Sequence, residues 1–352
     1  MGVLLNEDEL PTPQMLAAYR TFEYVAYVVS LIILVITVAT ILSSSQAVGQ
    51  YRWYLLHGLA WLFVFDTFGT LIGAVTLFPV PCYYGINAAA SIVGTKQIVY
   101  FFIGVGSIIG KVSALVWQFE FRYYQAQPST SRYRHICGLY SEKTWVVFRV
   151  CLLSSFIAVV IAPLAISFPD QEKQRQFLIS LDPVIAKIIA QHPGMMCFST
   201  GTNSNSVIII PFILALLLPW VGGYATYLIY AAIRKQQLTT KTRRLQMMLF
   251  WSLFAQLAAL FLLVLVPATV YLGGPLFGFR NLPRISIFCF YPILLHTATD
   301  CALILYFITP YRRKLMNKFR ALGNYAHLVE SSSIQNVKVS PSRNGSFAIP
   351  RE

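Results

Sequence analysis

The sequence predicts an all-α membrane protein, a seven-transmembrane helix bundle, and three observations support this fold class. The 352 residues are 57% hydrophobic and only 11% charged, a composition too apolar for a soluble domain of this size. Seven apolar runs are each long enough to cross about 30 Å of hydrocarbon. The Lys and Arg residues behind the net charge of +14 cluster between these runs, as topology signals do, so we expect no nucleic-acid partner.

The apolar runs place the seven spans in order along the chain. They cover residues 24–42, 53–78, 98–119, 145–166, 207–233, 249–272 and 285–308. Residues 1–23 are polar and acidic and lack the features of a cleaved leader, so we expect an extracellular N-terminal segment. After the last span, residues 309–323 combine basic and apolar positions, which predicts a juxtamembrane amphipathic helix on the membrane lipids. The Ser-rich residues 324–352 predict a disordered cytoplasmic tail.

The distribution of positive charge predicts the orientation of the bundle. Of the 27 Lys and Arg residues, 18 lie on one side of the predicted spans, 7 on the other, and Lys111 and Arg149 lie within spans. Cytoplasmic loops carry the excess of positive charge. We therefore expect the N-terminus outside and the C-terminus inside.

The longest outer loop, residues 167–206, carries apolar side chains at helical spacing between Phe177 and Ile188, interrupted near Pro183. This pattern predicts an amphipathic helix, either a lid over the outer mouth of the bundle or a helix lying in the membrane interface. Cys82 and Cys197 are the two cysteines on the outer side. Their position allows a disulfide between the outer loops, but spacing alone does not establish one.

Four ionisable residues lie inside apolar spans, where an unpaired charge costs at least about 2.5 kcal/mol. They are Asp66 of the second span, Lys111 of the third, and His296 and Asp300 of the seventh. At about 1.5 Å per residue, all four fall in one layer roughly 12–20 Å from the inner surface. We expect Lys111 to pair with Asp66 or Asp300, forming either an intramembrane polar switch or a static polar contact that fixes the helix register.

Enzyme and metal signatures are missing from the sequence. There is no HExxH, no P-loop and no paired CxxC, and His296 with Asp300 lacks a third ligand on the same helix. We expect no enzymatic activity, no cofactor and no metal. Gly106 and Gly110 instead form a small-xxx-small pattern that favours close packing of the third helix.

Four segments of the sequence carry motifs that can be compared with a known family. They are the second span and its exit, YRWYLLHGLAWLFVFDTFGTLIGAVTLFPVPCYYG, the end of the third span, Phe119-Glu120-Phe121-Arg122, the sixth span from Thr242-Arg243-Arg244-Leu245-Gln246 to Gln256 and Pro267, and the closing Pro310-Tyr311-Arg312. These segments resemble the nematode serpentine chemoreceptors, class H, which usually have Phe-Glu-Asn-Arg at the end of the third span.

The resemblance implies a rhodopsin-like G-protein-coupled receptor in the ciliary plasma membrane of sensory neurons, which binds a small molecule or odorant and activates a heterotrimeric G protein. It implies that Glu120, Arg122 and Tyr311 serve G-protein coupling. Apolar side chains in the outer halves of the spans, such as Phe102 and Phe288, are the candidate ligand contacts. A multi-span transporter and a ligand-gated channel subunit are the alternatives.

Overall fold

In a computed structural model of the chain, seven helices among the described residues are long and apolar enough to cross a membrane. The structure describes residues 6–44, 49–93, 97–128, 130–139, 141–166, 168–199, 204–235 and 239–321. The first four spans are α1 (Pro13–Ser43), α2 (Tyr51–Ile72), α4 (Gln97–Gln125) and α6 (Glu142–Ile166). The fifth is α9 (Ser204–Lys235), and the seventh is α12 (Leu282–Phe307).

The sixth span changes its helical form midway. It runs as α10 (Thr240–Leu260), passes through a π-helical turn (Phe261–Leu265) and continues as α11 (Val266–Leu276). The turn ends two residues before Pro267, which donates no backbone hydrogen bond and whose ring clashes with the carbonyl four residues earlier. A wider turn accommodates such a break.

Shorter helices connect the spans, and a last helix follows them. They are α3 (Ala88–Val93), α5 (Arg132–Leu139), α7 (Gln171–Leu181), α8 (Pro183–Gln191) and α13 (residues 309–321). The strands are β1 (Ala74–Thr76), β2 (Cys82–Gly85) and β3 (Met196–Cys197). Following the charge bias, we call the end with the strands the outer end and the end with α5 and α13 the inner end.

Several helices begin or end away from the predicted span limits, and two of these differences change the outer end of the bundle. The second span ends at Ile72 and not at residue 78, because Gly73 takes the left-handed conformation that ends helices (φ 59°) and the chain then enters β1. The first helix begins at Pro13 and not at residue 24, because Thr12 accepts a hydrogen bond from the Met15 backbone N–H and caps it. Residues that we assigned to an extracellular segment, Glu23 among them, therefore belong to a spanning helix.

A small antiparallel sheet, absent from the all-α prediction, covers the outer end in the order β1-β2-β3. Cys82 and Cys197 are directly opposed in β2 and β3, and a disulfide joins them. The side-chain amide of Gln171 donates to the Cys197 carbonyl and accepts from its N–H, both at 2.9 Å. These two hydrogen bonds hold the start of α7 against the sheet.

The helices α7 and α8 form a lid on the bundle. Leu178 and Ile185 are fully buried in a cluster that contains Tyr19 of the first span and Ile287 of the seventh. Asp182 separates the two helices and caps α8 by accepting a hydrogen bond from the Val184 N–H. Of the two arrangements the sequence allowed, the structure therefore shows the lid.

Close packing of the second and third spans depends on Gly110. A Cβ atom at Gly110 would lie 2.2 Å from the Trp61 ring, so only glycine admits the indole there. At Gly106, by contrast, a Cβ atom would meet nothing within 4 Å. The predicted small-residue contact is thus made by Gly110 alone.

Candidate functional site

A buried ion pair joins the third and seventh spans in the middle of the bundle. Lys111 Nζ donates to Asp300 Oδ2 at 2.6 Å, and both side chains are almost inaccessible to solvent. Lys111 also lies against the second span, since a Cβ atom on Gly58 would be 3.7 Å from Nζ. The ammonium group therefore stands where three spans meet.

The two other predicted members of the polar layer lie nearby but outside this ion pair. His296 is buried within electrostatic range of Asp300 and Lys111, and Asp66 is buried beside Thr297. Within the described part of the chain, Asp66 Oδ1, His296 Nε2 and Asp300 Oδ1 have no hydrogen-bond partner. Unsatisfied buried polar atoms are costly, so this layer holds acceptors that a shifted Lys111, water or a ligand could use.

A second polar cluster lies at the inner end, around Arg122. Its guanidinium carbon is 3.6 Å from the centroid of the Tyr51 ring, and Nη1 donates to Gln125 Oε1 at 3.0 Å. The Tyr51 hydroxyl in turn donates to Gln118 Oε1 at 3.0 Å. The arginine is thus held by an aromatic face of the second span.

Tyr311 completes this inner cluster from the segment after the seventh span. It is fully buried and lies close enough to Tyr51 and Arg122 to interact electrostatically with both. Burial raises the pKa of Tyr311 to about 12, so its phenol keeps its proton. The hydroxyl and two guanidinium nitrogens of Arg122, Nε and Nη2, have no hydrogen-bond partner among the described residues.

Glu120 does not belong to the inner cluster. It forms an ion pair with Arg149 of the fourth span and accepts a hydrogen bond from Tyr133 of α5. Residues two apart on a helix point to different sides, so Glu120 and Arg122 cannot share one partner. The roles of Glu120 and Arg122 in G-protein coupling stay predictions. Glu120 instead ties the third span to the fourth and to α5.

The two aromatic ligand candidates lie in different places. Phe288 is 62% exposed and faces away from the interior of the bundle, and its role as a ligand contact stays a prediction. Phe102 is half-buried and borders an apolar groove of about 370 Å³ between the second, third and fourth spans. The hydrophobicity of both residues was clear from the sequence, but the direction in which each helix face points was not.

Sequence reasoning missed a third buried polar cluster, at the outer end. The Asn87 amide donates to Glu23 Oε2 at 2.6 Å and to the Thr70 carbonyl at 2.7 Å, and Tyr19 is the other neighbour of Glu23. A Cβ atom on Gly73 would collide with Asn87 and Glu23. The available signal was the spacing of Tyr19 and Glu23, one turn apart on the helix whose start we placed too late.

The three clusters lie at the outer end, in the middle and at the inner end of the bundle, and each includes a residue of the second span: Thr70, Asp66 and Tyr51. Among the described residues, no group of three or more His, Cys, Asp or Glu side chains could hold a metal ion. In the middle of the bundle, the Lys111–Asp300 ion pair lies beside unpartnered acceptors. At the inner end, Arg122 has two guanidinium nitrogens without a hydrogen-bond partner among the described residues. Both features suit a protein that changes conformation.

Comparison with known protein families gives a match that covers nearly all of the described chain. Residues 16–321 match the family described as the serpentine type 7TM GPCR chemoreceptor Srh. No curated protein matches. The matched region includes all seven spans, the lid and α13, and it agrees with the resemblance drawn from the second, third, sixth and seventh spans. The chain belongs to the Srh family of seven-transmembrane serpentine chemoreceptors.

Proposed function

We propose that this chemoreceptor binds a small molecule at its outer half and activates a heterotrimeric G protein at its inner end. The observation that supports this best is the buried Lys111–Asp300 ion pair, because it joins the third and seventh spans above the Arg122 cluster. The ciliary plasma membrane of sensory neurons is the proposed location, since exposure to external chemicals is what such a receptor requires.

The polar layer supplies the switch in this proposal. A buried ion pair with a free acceptor beside it can exchange partners, since the energy lost at one oxygen is recovered at another. In this proposal Lys111 leaves Asp300 for Asp66, which is buried beside Thr297 of the seventh span and has an unpartnered carboxylate oxygen in the described chain. Ligand binding above the layer changes this pairing and shifts the seventh span relative to the third.

The inner cluster transmits that shift. Tyr311 follows the seventh span directly and lies within electrostatic range of Tyr51 and Arg122. A movement of the seventh span therefore carries Tyr311 away from the arginine and opens the inner surface. Arg122, whose Nε and Nη2 have no partner in the described chain, then donates to a backbone carbonyl of the G protein.

Expression of the receptor with each class of Gα subunit, read by dissociation of the labelled heterotrimer, tests the proposal. We expect a panel of volatile apolar compounds to trigger dissociation with at least one class. Arg122→Ala should abolish the response at equal surface expression, whereas Arg132→Ala, an exposed arginine on α5, should leave it intact.

Two results would contradict this proposal. Compound-evoked ionic currents without any heterotrimer dissociation would favour the channel alternative, and compound uptake would favour a transporter. Signalling that survives Arg122→Ala unchanged would reduce this residue to a structural contact between the second and third spans.

A further inference from the structure

We propose that the ligand reaches this receptor through the membrane and binds in the apolar groove between the second, third and fourth spans. The ligand that fits there is an uncharged, apolar compound that dissolves in the bilayer. This groove, which we call the side groove, has a volume of about 370 Å³, and its lining includes Trp61, Val64, Phe102, Gly106 and Ile157. The inference rests on the proposed function, because it names the site and the class of compound that operate the receptor.

A packed core closes the outer end of the bundle. It joins Leu178 and Ile185 of the lid to Val75 of the sheet, Tyr19 of the first span and Ile287 of the seventh, and each of these residues is at most 1% exposed. A disulfide joins two strands of that sheet. A compound coming from the water would have to separate these apolar side chains, and the hydrophobic effect opposes that separation.

The chain ahead of the first span fastens the outer end a second time. Arg284 Nε of the seventh span donates to the Leu10 carbonyl at 2.9 Å, and Lys187 of α8 forms an ion pair with Glu7. Leu10 also packs against the lid core. The N-terminal segment is thus attached to both the seventh span and the lid, so direct entry from the water would break several contacts at once.

The side groove, by contrast, opens to the lipid in the outer half of the bundle. Val99, one of its lining residues, is 51% exposed. At about 1.5 Å per residue, the groove residues of the third span, from Val99 to Gly106, lie roughly 3 to 14 Å below the outer start of that span at Gln97. A compound dissolved in the outer leaflet therefore meets the groove without crossing the membrane centre.

The lining of the side groove selects the chemical class of its occupant. It is almost entirely apolar, so an uncharged compound enters without loss, whereas a charged one would lose its hydration without compensation. The rings of Trp61 and Phe102 add aromatic surface, which suits a compact, rigid compound. A flexible acyl chain would lose more conformational entropy in the same space. The groove therefore favours such a compound over the surrounding lipid.

Trp61 connects the side groove to the buried ion pair. It lines the groove, and its ring also fits against Gly110, the residue before Lys111, where a Cβ atom would lie 2.2 Å from the ring. The indole N–H donates to His57 Nε2 at 3.0 Å, and His57 lies within electrostatic range of Lys111. Closely packed side chains transmit displacement. A compound that moves the indole therefore moves the third span beside Lys111.

A second groove, on the fifth and sixth spans, provides the control. It has a volume of about 570 Å³ and is lined by Pro219, Trp220, Gly223, Tyr224 and Phe261. The ion pair lies on the third and seventh spans, so these two spans carry neither of its members. We therefore expect this larger groove to hold lipid without effect on signalling.

Filling the side groove tests its role in activation. Among the described residues nothing lies within 4 Å of a Cβ atom at Gly106, so Gly106→Leu places its side chain in the groove without a clash at that atom. It should raise the half-maximal concentration of activating apolar compounds about tenfold or more, because it takes contact surface from the ligand. Gly223→Leu, at an equally open glycine of the second groove, should leave this concentration unchanged. Heterotrimer dissociation at matched surface expression measures both variants.

Photolabelling measures binding without a G protein. Purified receptor in phosphatidylcholine nanodiscs is labelled with trifluoromethyl-phenyldiazirine, an uncharged apolar compound that reacts where it is bound. We expect saturable labelling of the peptides that contain Trp61 and Phe102, which Gly106→Leu should remove and Gly223→Leu should not. Saturable labelling without any heterotrimer dissociation would support the site and contradict the proposed function.

Fastening the outer end tests the route of entry. Because Glu7 and Lys187 form an ion pair, Glu7→Cys combined with Lys187→Cys can be bridged from outside by a short bifunctional thiol reagent. The bridged receptor should respond as fast as the untreated one, since the ligand does not pass the lid. The single variant Glu7→Cys, treated with the same reagent, is the control.

Two results would overturn this inference and leave the proposed function intact. The first is an unchanged response of Gly106→Leu together with labelling of the groove peptides that does not saturate. The second is a slower onset of the response in the bridged receptor alone, which would place the entrance at the outer end.

Discussion

At the scale of single residues, the buried ion pair is the most consequential feature. Removing one member of such a pair leaves an uncompensated charge, which costs about 3–5 kcal/mol. Lys111→Ala should therefore lower the thermal stability and surface expression of the receptor. Lys143→Ala, an exposed lysine at the inner end, should change neither.

A double substitution identifies the partner of Lys111 and tests the switch. Adding Asp300→Asn to Lys111→Ala should restore expression, because it removes the orphaned charge, whereas Asp66→Asn should not. Basal or ligand-evoked G-protein activation that stays altered in the rescued protein would support the switch. Complete recovery of signalling would leave only a static contact, and losses that simply add would contradict the ion pair itself.

The sequence predicts how deep these residues lie in the membrane, but not which way their side chains point. Depth depends only on the rise per residue, so Asp66, Lys111, His296 and Asp300 could be assigned to one layer from the sequence alone. Which aspartate meets Lys111 depends on how each helix is rotated about its axis, and tertiary packing sets that rotation. The rotation of the seventh span, which the sequence does not reveal, also explains Phe288: its side chain is apolar, as a ligand contact requires, but it faces outwards.

At the scale of elements, the second and third spans pack closely because residue 110 is a glycine and leaves room for the Trp61 ring. Gly110→Ala would force a methyl group into the Trp61 ring, so we expect a loss of about 1–3 kcal/mol of stability. Gly106→Ala, one turn away with open space around it, is the matched control and should be neutral. Thermal unfolding of the two purified variants measures the difference, and equal midpoints would contradict this packing.

His192, after α8 at the outer end, links the stability of the protein to pH. His192 stacks on Tyr84 with ring centroids 4.0 Å apart, and burial lowers the pKa of its imidazole. The unfolded chain therefore binds a proton at a higher pH than the folded one. Below about pH 6.5, stability should fall as the pH falls.

Thermal unfolding across this pH range tests the link. His192→Phe keeps the stacking without the charge and should flatten the pH dependence, whereas substitution of His135, exposed on α5, should leave it unchanged. A decline of equal slope in the His192→Phe variant would assign the effect to other groups.

Prediction from sequence was good for long elements and poor for short ones. Seven apolar runs of about 20 residues identify spans because no other structure hides so much apolar surface in lipid. The strands of two to four residues carry no usable periodicity, and β1 consists of residues that prolong the apolar run of the second span. Only Gly73 marked the boundary, and its left-handed conformation is not visible in composition.

At the scale of the whole molecule, two independent features predict the same orientation. The Cys82–Cys197 disulfide lies at the end where the first helix begins, and disulfides persist in oxidising surroundings. The basic residues of α13, which include Arg312 and Lys318, lie at the opposite end, as cytoplasmic segments do. Neither feature depends on the family.

The orientation can be tested on living cells. An epitope fused ahead of Met1 should be stained on intact cells, and one placed after Ile349 only after permeabilisation. An intact disulfide, seen as a mobility shift on reduction that Cys82→Ser abolishes, is the internal control for correct folding. Staining of the opposite pattern would place the lid and its disulfide in the reducing cytosol. It would contradict the receptor topology.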